Sequence, residues 1–221
     1  MIDHSLLKPT MTRGELEAGC LVALDYDVAS VCIMPYYLAR AAEVLRGSDV
    51  LPTTTIGFPH GGQSSRSKQL EAEQALDDGA RELDMVVNIS QVLSGEFDAV
   101  RADILGVLQP THARGQKLKV IFENCYLNDT QKIRLCEICG ELGVDWVKTS
   151  TGFGSSGATL EDLRLMRQHS PAHVQLKAAG GVQDLDMLLQ IREIGATRSG
   201  CSKTGQVLDE LRRRLALRAQ A

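Results

Sequence analysis

One junction recurs along the chain: an amphipathic stretch ends at a glycine and an apolar run follows at once. It is seen in Asp78-Gly79-Ala80 before Leu83, in Leu142-Gly143-Val144 before Val147, and in Ile194-Gly195-Ala196. Glycine just past a helix end takes up the left-handed cap that other residues resist, so each junction reads as helix to strand. Strands are predicted near residues 2–5, 28–34, 51–57, 82–87, 117–123, 144–149, 173–178 and 197–201, with helical patterns between them and a last helix from about 206 to 219. Eight strand-then-helix units of about 20 to 35 residues, without a low-complexity interruption, predict the α/β class and a single-domain (β/α)8 TIM barrel over residues 1–221. An open doubly wound sheet would alternate as well, but it would more naturally carry a Gly-x-Gly-x-x-Gly turn after an early strand, and the sequence has none.

Side-chain parity sharpens this reading, because successive residues of a strand point to opposite faces. Leu118, Val120 and Phe122 oppose Lys119, Ile121 and Glu123; Leu83, Met85 and Val87 oppose Asp84, Val86 and Asn88; Val174, Leu176 and Ala178 oppose Gln175, Lys177 and Ala179. With the apolar faces against surrounding helices, Asp84, Lys119, Lys148 and Lys177 point into the barrel. Isolated buried charges cost several kcal/mol each, so these four must pair, hydrogen-bond or lose their charge. Two outcomes fit: a structural ion-pair network, or an active site in which one lysine, dehydrated and facing a second cation, serves as a neutral amine nucleophile.

Composition removes other classes. The net charge is −4 with acids and bases interspersed, and the basic triplet Arg212-Arg213-Arg214 reads as the solvated side of a final helix, so no nucleic-acid partner is expected. Met1-Ile2-Asp3-His4 lacks a basic flank followed by an apolar stretch, and no run approaches 18 apolar residues, so a soluble, unexported chain without a membrane partner is expected. Six scattered cysteines fit a reducing cytoplasm better than a disulfide scaffold. The pair Cys136-x-x-Cys139 has no second pair and fits one face of a helix over about 129–141.

Seven segments, in order, resemble the deoxyribose-phosphate aldolase family. They are Ile2-Asp3-His4-Ser5-Leu6-Leu7-Lys8-Pro9, Ala29-Ser30-Val31-Cys32, Gly57-Phe58-Pro59-His60-Gly61, Glu82-Leu83-Asp84-Met85-Val86-Val87-Asn88, Leu118-Lys119-Val120-Ile121-Phe122-Glu123, Val147-Lys148-Thr149-Ser150-Thr151-Gly152-Phe153 and Lys177-Ala178-Ala179-Gly180-Gly181. The resemblance implies a class I aldolase of the cytoplasm that interconverts 2-deoxy-D-ribose 5-phosphate with D-glyceraldehyde 3-phosphate and acetaldehyde. It implies Lys148 as the Schiff-base lysine and Lys177 as the cation that lowers its pKa. It further implies Asp84, with an ordered water, as the proton-transfer group and Lys119 as its partner.

The same resemblance implies a phosphosugar substrate and a homodimer or homotetramer, with no cofactor and no metal. The five histidines do not supply the ligand set that a metal-dependent aldolase needs. Asp3 and Ser5 match residues lining the family's substrate cavity, with Asp3 expected to contact substrate or the Lys148 neighbourhood, and Cys32 reads as a small buried filler. Phosphate recognition falls to the turns after the last two strands, Gly180-Gly181 and Gly200-Cys201-Ser202, where bare amides and a helix N-terminus can meet an anion.

Two departures from the family pattern stand out. With the first strand expected at residues 2–5, the helix that usually precedes it is expected to be missing or very short. Ser199 stands where an apolar residue is usual and Lys203 where a small one is, which points to a weakened eighth strand or an altered phosphate site. Two rival readings remain: another Schiff-base sugar-phosphate aldolase, and a catalytically silent phosphosugar-binding barrel.

Overall fold

The computed structural model describes residues 1–219, so the last two residues of the expected 1–221 domain lie outside the described residues. Eight parallel strands close into a barrel in chain order, the first pairing with both the second and the eighth. The strands are β1 (Ile2–Leu6), β2 (Ser30–Ile33), β3 (Leu51–Ile56), β4 (Glu82–Val86), β5 (Lys117–Ile121), β6 (Trp146–Lys148), β7 (Gln175–Ala178) and β8 (Ala196–Cys201). Between them run α1 (Arg13–Asp25), α2 (Leu38–Val44), α3 (Ser65–Asp77), α4 (Ile89–Leu93), α5 (Phe97–Ala113), α6 (Asp129–Leu142), α7 (Leu160–His169) and α8 (Leu185–Glu193), and α9 (Thr204–Ala219) ends the described chain.

Local chemistry sets the helix ends. Thr12 and Glu15 form a reciprocal capping box at the start of α1, as Asn128 and Gln131 do for α6. Gly143 closes α6 at φ 74°, in the left-handed conformation the sequence pattern required of it. Six of the strands, β2 to β7, are trimmed relative to expectation, while β1 and β8 are each one residue longer. β6 keeps only three residues, because Val144 still donates back to the Cys139 carbonyl in closing the preceding helix.

The parity expectation holds across the barrel. Leu83, Met85 and Val87, Leu118, Val120 and Phe122, and Val174, Leu176 and Ala178 all belong to the core between strands and helices. Burying each large aliphatic or aromatic side chain there stabilises the fold by about 1.5–3 kcal/mol. The opposite face carries Asp84, Lys119 and Lys177 into the barrel, each 1% exposed or less.

The weakened eighth strand is corrected. β8 runs for six residues and pairs on both sides, with one register irregularity against β7 beside Leu176 and Lys177. Strand membership depends on backbone pairing, so Ser199 is accommodated with its hydroxyl buried and unpartnered. The Arg212-Arg213-Arg214 triplet lies on α9 and is engaged internally: Arg213 and Arg214 pair with Glu210, Arg214 also with Asp186, and Arg212 covers the Tyr26 ring. Among the described residues no helix is long and apolar enough to cross a membrane. Cys136 and Cys139 share the buried face of α6, and burial pushes the Cys136 thiol up to about 11.

Candidate active site

Strand register assembles the central cluster. Asp84 is paired with Lys119 across β4 and β5, and Lys148 with Lys177 across β6 and β7. Inside the barrel these pairs meet. The Nζ atoms of Lys148 and Lys177 both donate to Oδ2 of Asp84 at 2.7 Å, while Lys119 donates to Oδ1 at 2.8 Å. Asp84 is thus the common acceptor for three amines.

The field inside the cluster divides the lysines. Burial works against the charged form of Lys177, but the carboxylates of Asp3, at 2.5 Å, and Asp84 more than offset it and hold its pKa above the ordinary lysine value. Lys119 is raised too, against its own burial, mainly by Asp84. Lys148 goes the other way: burial lowers its pKa, Asp84 resists, and the neighbouring Lys177 lowers it further. Asp84 is held well below the usual carboxylate range by the three lysines, despite the opposing effect of burial. One amine of the cluster is therefore the readiest to lose its proton, and it is Lys148.

Lys148 also opens onto a cavity of ≈ 510 Å³, shaped by Ser5, Gly180, Gly181, Gly200 and Ser202. These residues follow or end β1, β7 and β8, so the cavity lies at the C-terminal mouth of the barrel. Its wall is built by close backbone approach: a Cβ on Gly157 would come within 2.3 Å of the Gly180 carbonyl oxygen, and Gly180 and Gly181 adopt φ of 79° and 80°. Thr149 locks the two strand ends together, its hydroxyl donating to the Ala179 carbonyl and accepting from the Ala179 amide. A smaller groove at the opposite end, lined by Met1, Ile2, Tyr26 and Leu188, includes none of the charged cluster.

Residues 1–205 match the model of the DeoC/LacD family of aldolases. The chain belongs to that family. It is 62% identical over 219 residues to the deoxyribose-phosphate aldolase of Rhodopirellula baltica, covering 99% of this chain and 91% of that protein. It is 43% identical to the deoxyribose-phosphate aldolase of Thermococcus gammatolerans, covering 96% and 95% of the two chains. The solved structure described as "QR15, an Aldolase" superposes with a TM-score of 0.92 at 34% identity over 97% of this chain and 96% of its own. The deoxyribose-phosphate aldolase of Aeropyrum pernix, described as a unique tetramer, gives 0.88 at 27% identity over 96% and 89%.

Within this DeoC/LacD aldolase, all four sequence-derived catalytic candidates, Asp84, Lys119, Lys148 and Lys177, stand in one hydrogen-bonded group. Five of the six binding candidates line the cavity. Asp3 is fully buried beside the lysine cluster and outside the cavity lining, with one carboxylate oxygen on Lys177 and the other accepting from Arg198 at 2.7 Å. Its inward position on β1 puts it below the mouth, where it meets lysines rather than substrate. His169 and His173 are four residues apart, but α7 ends at His169 and His173 lies past Pro171, so they do not share a helical face.

Sequence reasoning missed two charged residues of the barrel interior and the role of a third. Glu82 and Arg198 lie under the cluster, and Glu123, at φ 57° just past β5, accepts from the Thr151 amide and hydroxyl and so ties down the loop after Lys148. Parity held the signal for the first two. Glu82 is two residues from Asp84, and Arg198 two from Gly200, so both share an inward face.

Proposed function

We propose that this protein is a class I aldolase that interconverts 2-deoxy-D-ribose 5-phosphate with D-glyceraldehyde 3-phosphate and acetaldehyde through a Schiff base on Lys148. The observation that carries the proposal is the shared Asp84 oxygen: Lys148 and Lys177 lie against the same atom, and only Lys148 lines the cavity. An amine with a lowered pKa at a cavity floor is a nucleophile for a carbonyl. Its relatives' names and the family membership support the substrate.

In cleavage, neutral Lys148 adds to the open-chain aldehyde carbon, and loss of water gives the iminium. The bond between the second and third carbons then breaks, its electron pair passing into the iminium to leave an enamine of acetaldehyde, while the third-carbon hydroxyl gives up its proton. Protonation of the enamine carbon and hydrolysis release acetaldehyde and restore the amine. Asp84, ionised and held by Lys119 and Lys177, is assigned the proton transfers through an ordered water. Lys177 stays charged throughout, and its field favours the free amine on Lys148 over the ammonium.

The phosphate is assigned to the cavity end formed by Gly180, Gly181, Gly200 and Ser202, next to the start of α9. Lys203, also on that wall, adds a cation where the family usually has a small residue. One barrel domain, a homodimer or homotetramer, and a cytoplasmic setting complete the proposal.

Sodium borohydride added with acetaldehyde tests it. A two-carbon adduct on the Lys148 peptide is expected by mass spectrometry, together with cleavage of deoxyribose 5-phosphate. Absence of the adduct favours the silent binding barrel, and an adduct formed only from a different donor favours another Schiff-base aldolase.

A further inference from the structure

Beneath the three amines on Asp84 lies a second tier of charge. The Glu82 carboxylate accepts both arms of the Arg198 guanidinium, at 2.7 and 3.0 Å, and lies 2.5 Å from Lys119 Nζ. Thr53 donates to it as well, at 3.3 Å. Arg198 reaches on to Asp3, whose other oxygen meets Lys177. The two tiers are one connected network, and its side chains are at most 3% exposed apart from Arg198 at 14%.

Its charges balance when Lys148 is neutral. Asp3, Glu82 and Asp84 contribute three carboxylates, and Lys119, Lys177 and Arg198 contribute three cations, before Lys148 is counted. A protonated Lys148 would be a fourth cation in a region that excludes water, where an unmatched charge is costly. The carboxylate count thus decides how easily Lys148 sheds its proton.

We infer that Glu82 and Arg198 are positioning residues that set the protonation state of Lys148 through this network, without touching substrate. The inference rests on the reading of Lys148 as the Schiff-base nucleophile. Asp84 from β4, Lys177 from β7 and Cys32 from β2 act on Lys148 directly, and behind them Asp3 from β1 meets Lys177 while Lys119 from β5 meets Asp84. Burial pushes the Cys32 thiol up to about 11, so it adds no charge near neutrality. Glu82 and Arg198 act on this set from below and with opposite signs.

Opposite signs give a readout that loss of structure cannot imitate. Without the Glu82 carboxylate the network carries an extra positive charge, the Lys148 ammonium is disfavoured, and its acid limb moves to lower pH. Without the Arg198 guanidinium the network carries an extra negative charge, and the limb moves to higher pH.

The experiment is the pH dependence of borohydride trapping of acetaldehyde on Lys148, read by peptide mass spectrometry, for the unaltered protein and for Glu82→Gln, Arg198→Gln, Arg198→Lys and the Glu82→Gln/Arg198→Gln double variant. The limb is expected to fall by roughly half a unit or more in the first variant and to rise by a similar amount in the second. It should stay near its original position in the charge-retaining variant and in the double variant, whatever thermal unfolding shows. If only one single variant folds, the sign of its shift decides. Limbs that stay put, or that move the same way in both single variants, overturn the inference while leaving the aldolase reading intact. Failure to trap any adduct on the unaltered protein overturns both.

Discussion

Lys148 and Lys177 are register partners on adjacent strands and donate to the same Asp84 oxygen, each at 2.7 Å. Two ammonium groups so placed repel each other, and the partnership with Asp3 lets Lys177 keep its charge. The difference between two chemically identical side chains therefore comes from a carboxylate that one of them touches and the other does not.

Replacing Lys177 with leucine removes the cation that lowers the Lys148 pKa. The acid limb of trapping on Lys148 should move up by about a unit, and turnover at neutral pH should fall roughly 100-fold. Trapping measured across pH on Lys177→Leu checks this. An unmoved limb would mean that burial and Asp84, not the second cation, tune the nucleophile.

Asp84→Asn should separate the amine's reactivity from the reaction. The carboxylate favours the Lys148 ammonium, so its loss should move the trapping limb to lower pH. Turnover should nonetheless fall by roughly 10²–10⁴, because the proton-transfer group is gone. Steady-state cleavage assayed beside trapping distinguishes the two effects, and turnover within tenfold of the original would remove Asp84 from the mechanism.

Lys203 stands exposed on the cavity wall, its ammonium 3.1 Å from Gln183 Oε1. Lys203→Ser should raise KM for deoxyribose 5-phosphate about three- to tenfold, with a weaker response to added salt, since an exposed cation is screened. Kinetics with free deoxyribose should not change. Equal losses on both substrates would mean that Lys203 shapes the mouth rather than meeting the phosphate.

Away from the site, α3 and α5 are joined by fully buried Lys68, whose Nζ lies 2.5 Å from Asp103 and donates to the Val86 carbonyl at 2.9 Å. Lys68→Met leaves the Asp103 carboxylate unpaired and should cost about 3–5 kcal/mol in urea unfolding. Lys68→Met with Asp103→Leu should recover most of that loss. A double variant no more stable than the single one would show that the Val86 contact, rather than the ion pair, carries the stability.

Much of this molecule is legible in its sequence because two periodicities are local. Glycine stops such as Gly143 and Gly195 marked where helices end, and alternation in β4, β5 and β7 separated Leu83 from Asp84, Leu118 from Lys119 and Leu176 from Lys177. Both signals arise within a few residues of backbone geometry. Glu123 was placed on the inward face by the same alternation, yet its hold on Thr151 follows from a left-handed turn that parity does not describe.

The sequence by itself determined the barrel, its inward charges and the family resemblance that singled out Lys148. The tertiary structure decided how those charges are shared. Of the two places open to Asp3 it set the side chain against Lys177 and Arg198, and Glu82 joined Lys119 to Arg198. These links join β1, β4, β5, β7 and β8, elements up to 195 residues apart in the chain. Charge balance in a buried volume depends on every group that enters it, so it exists only once the barrel has closed.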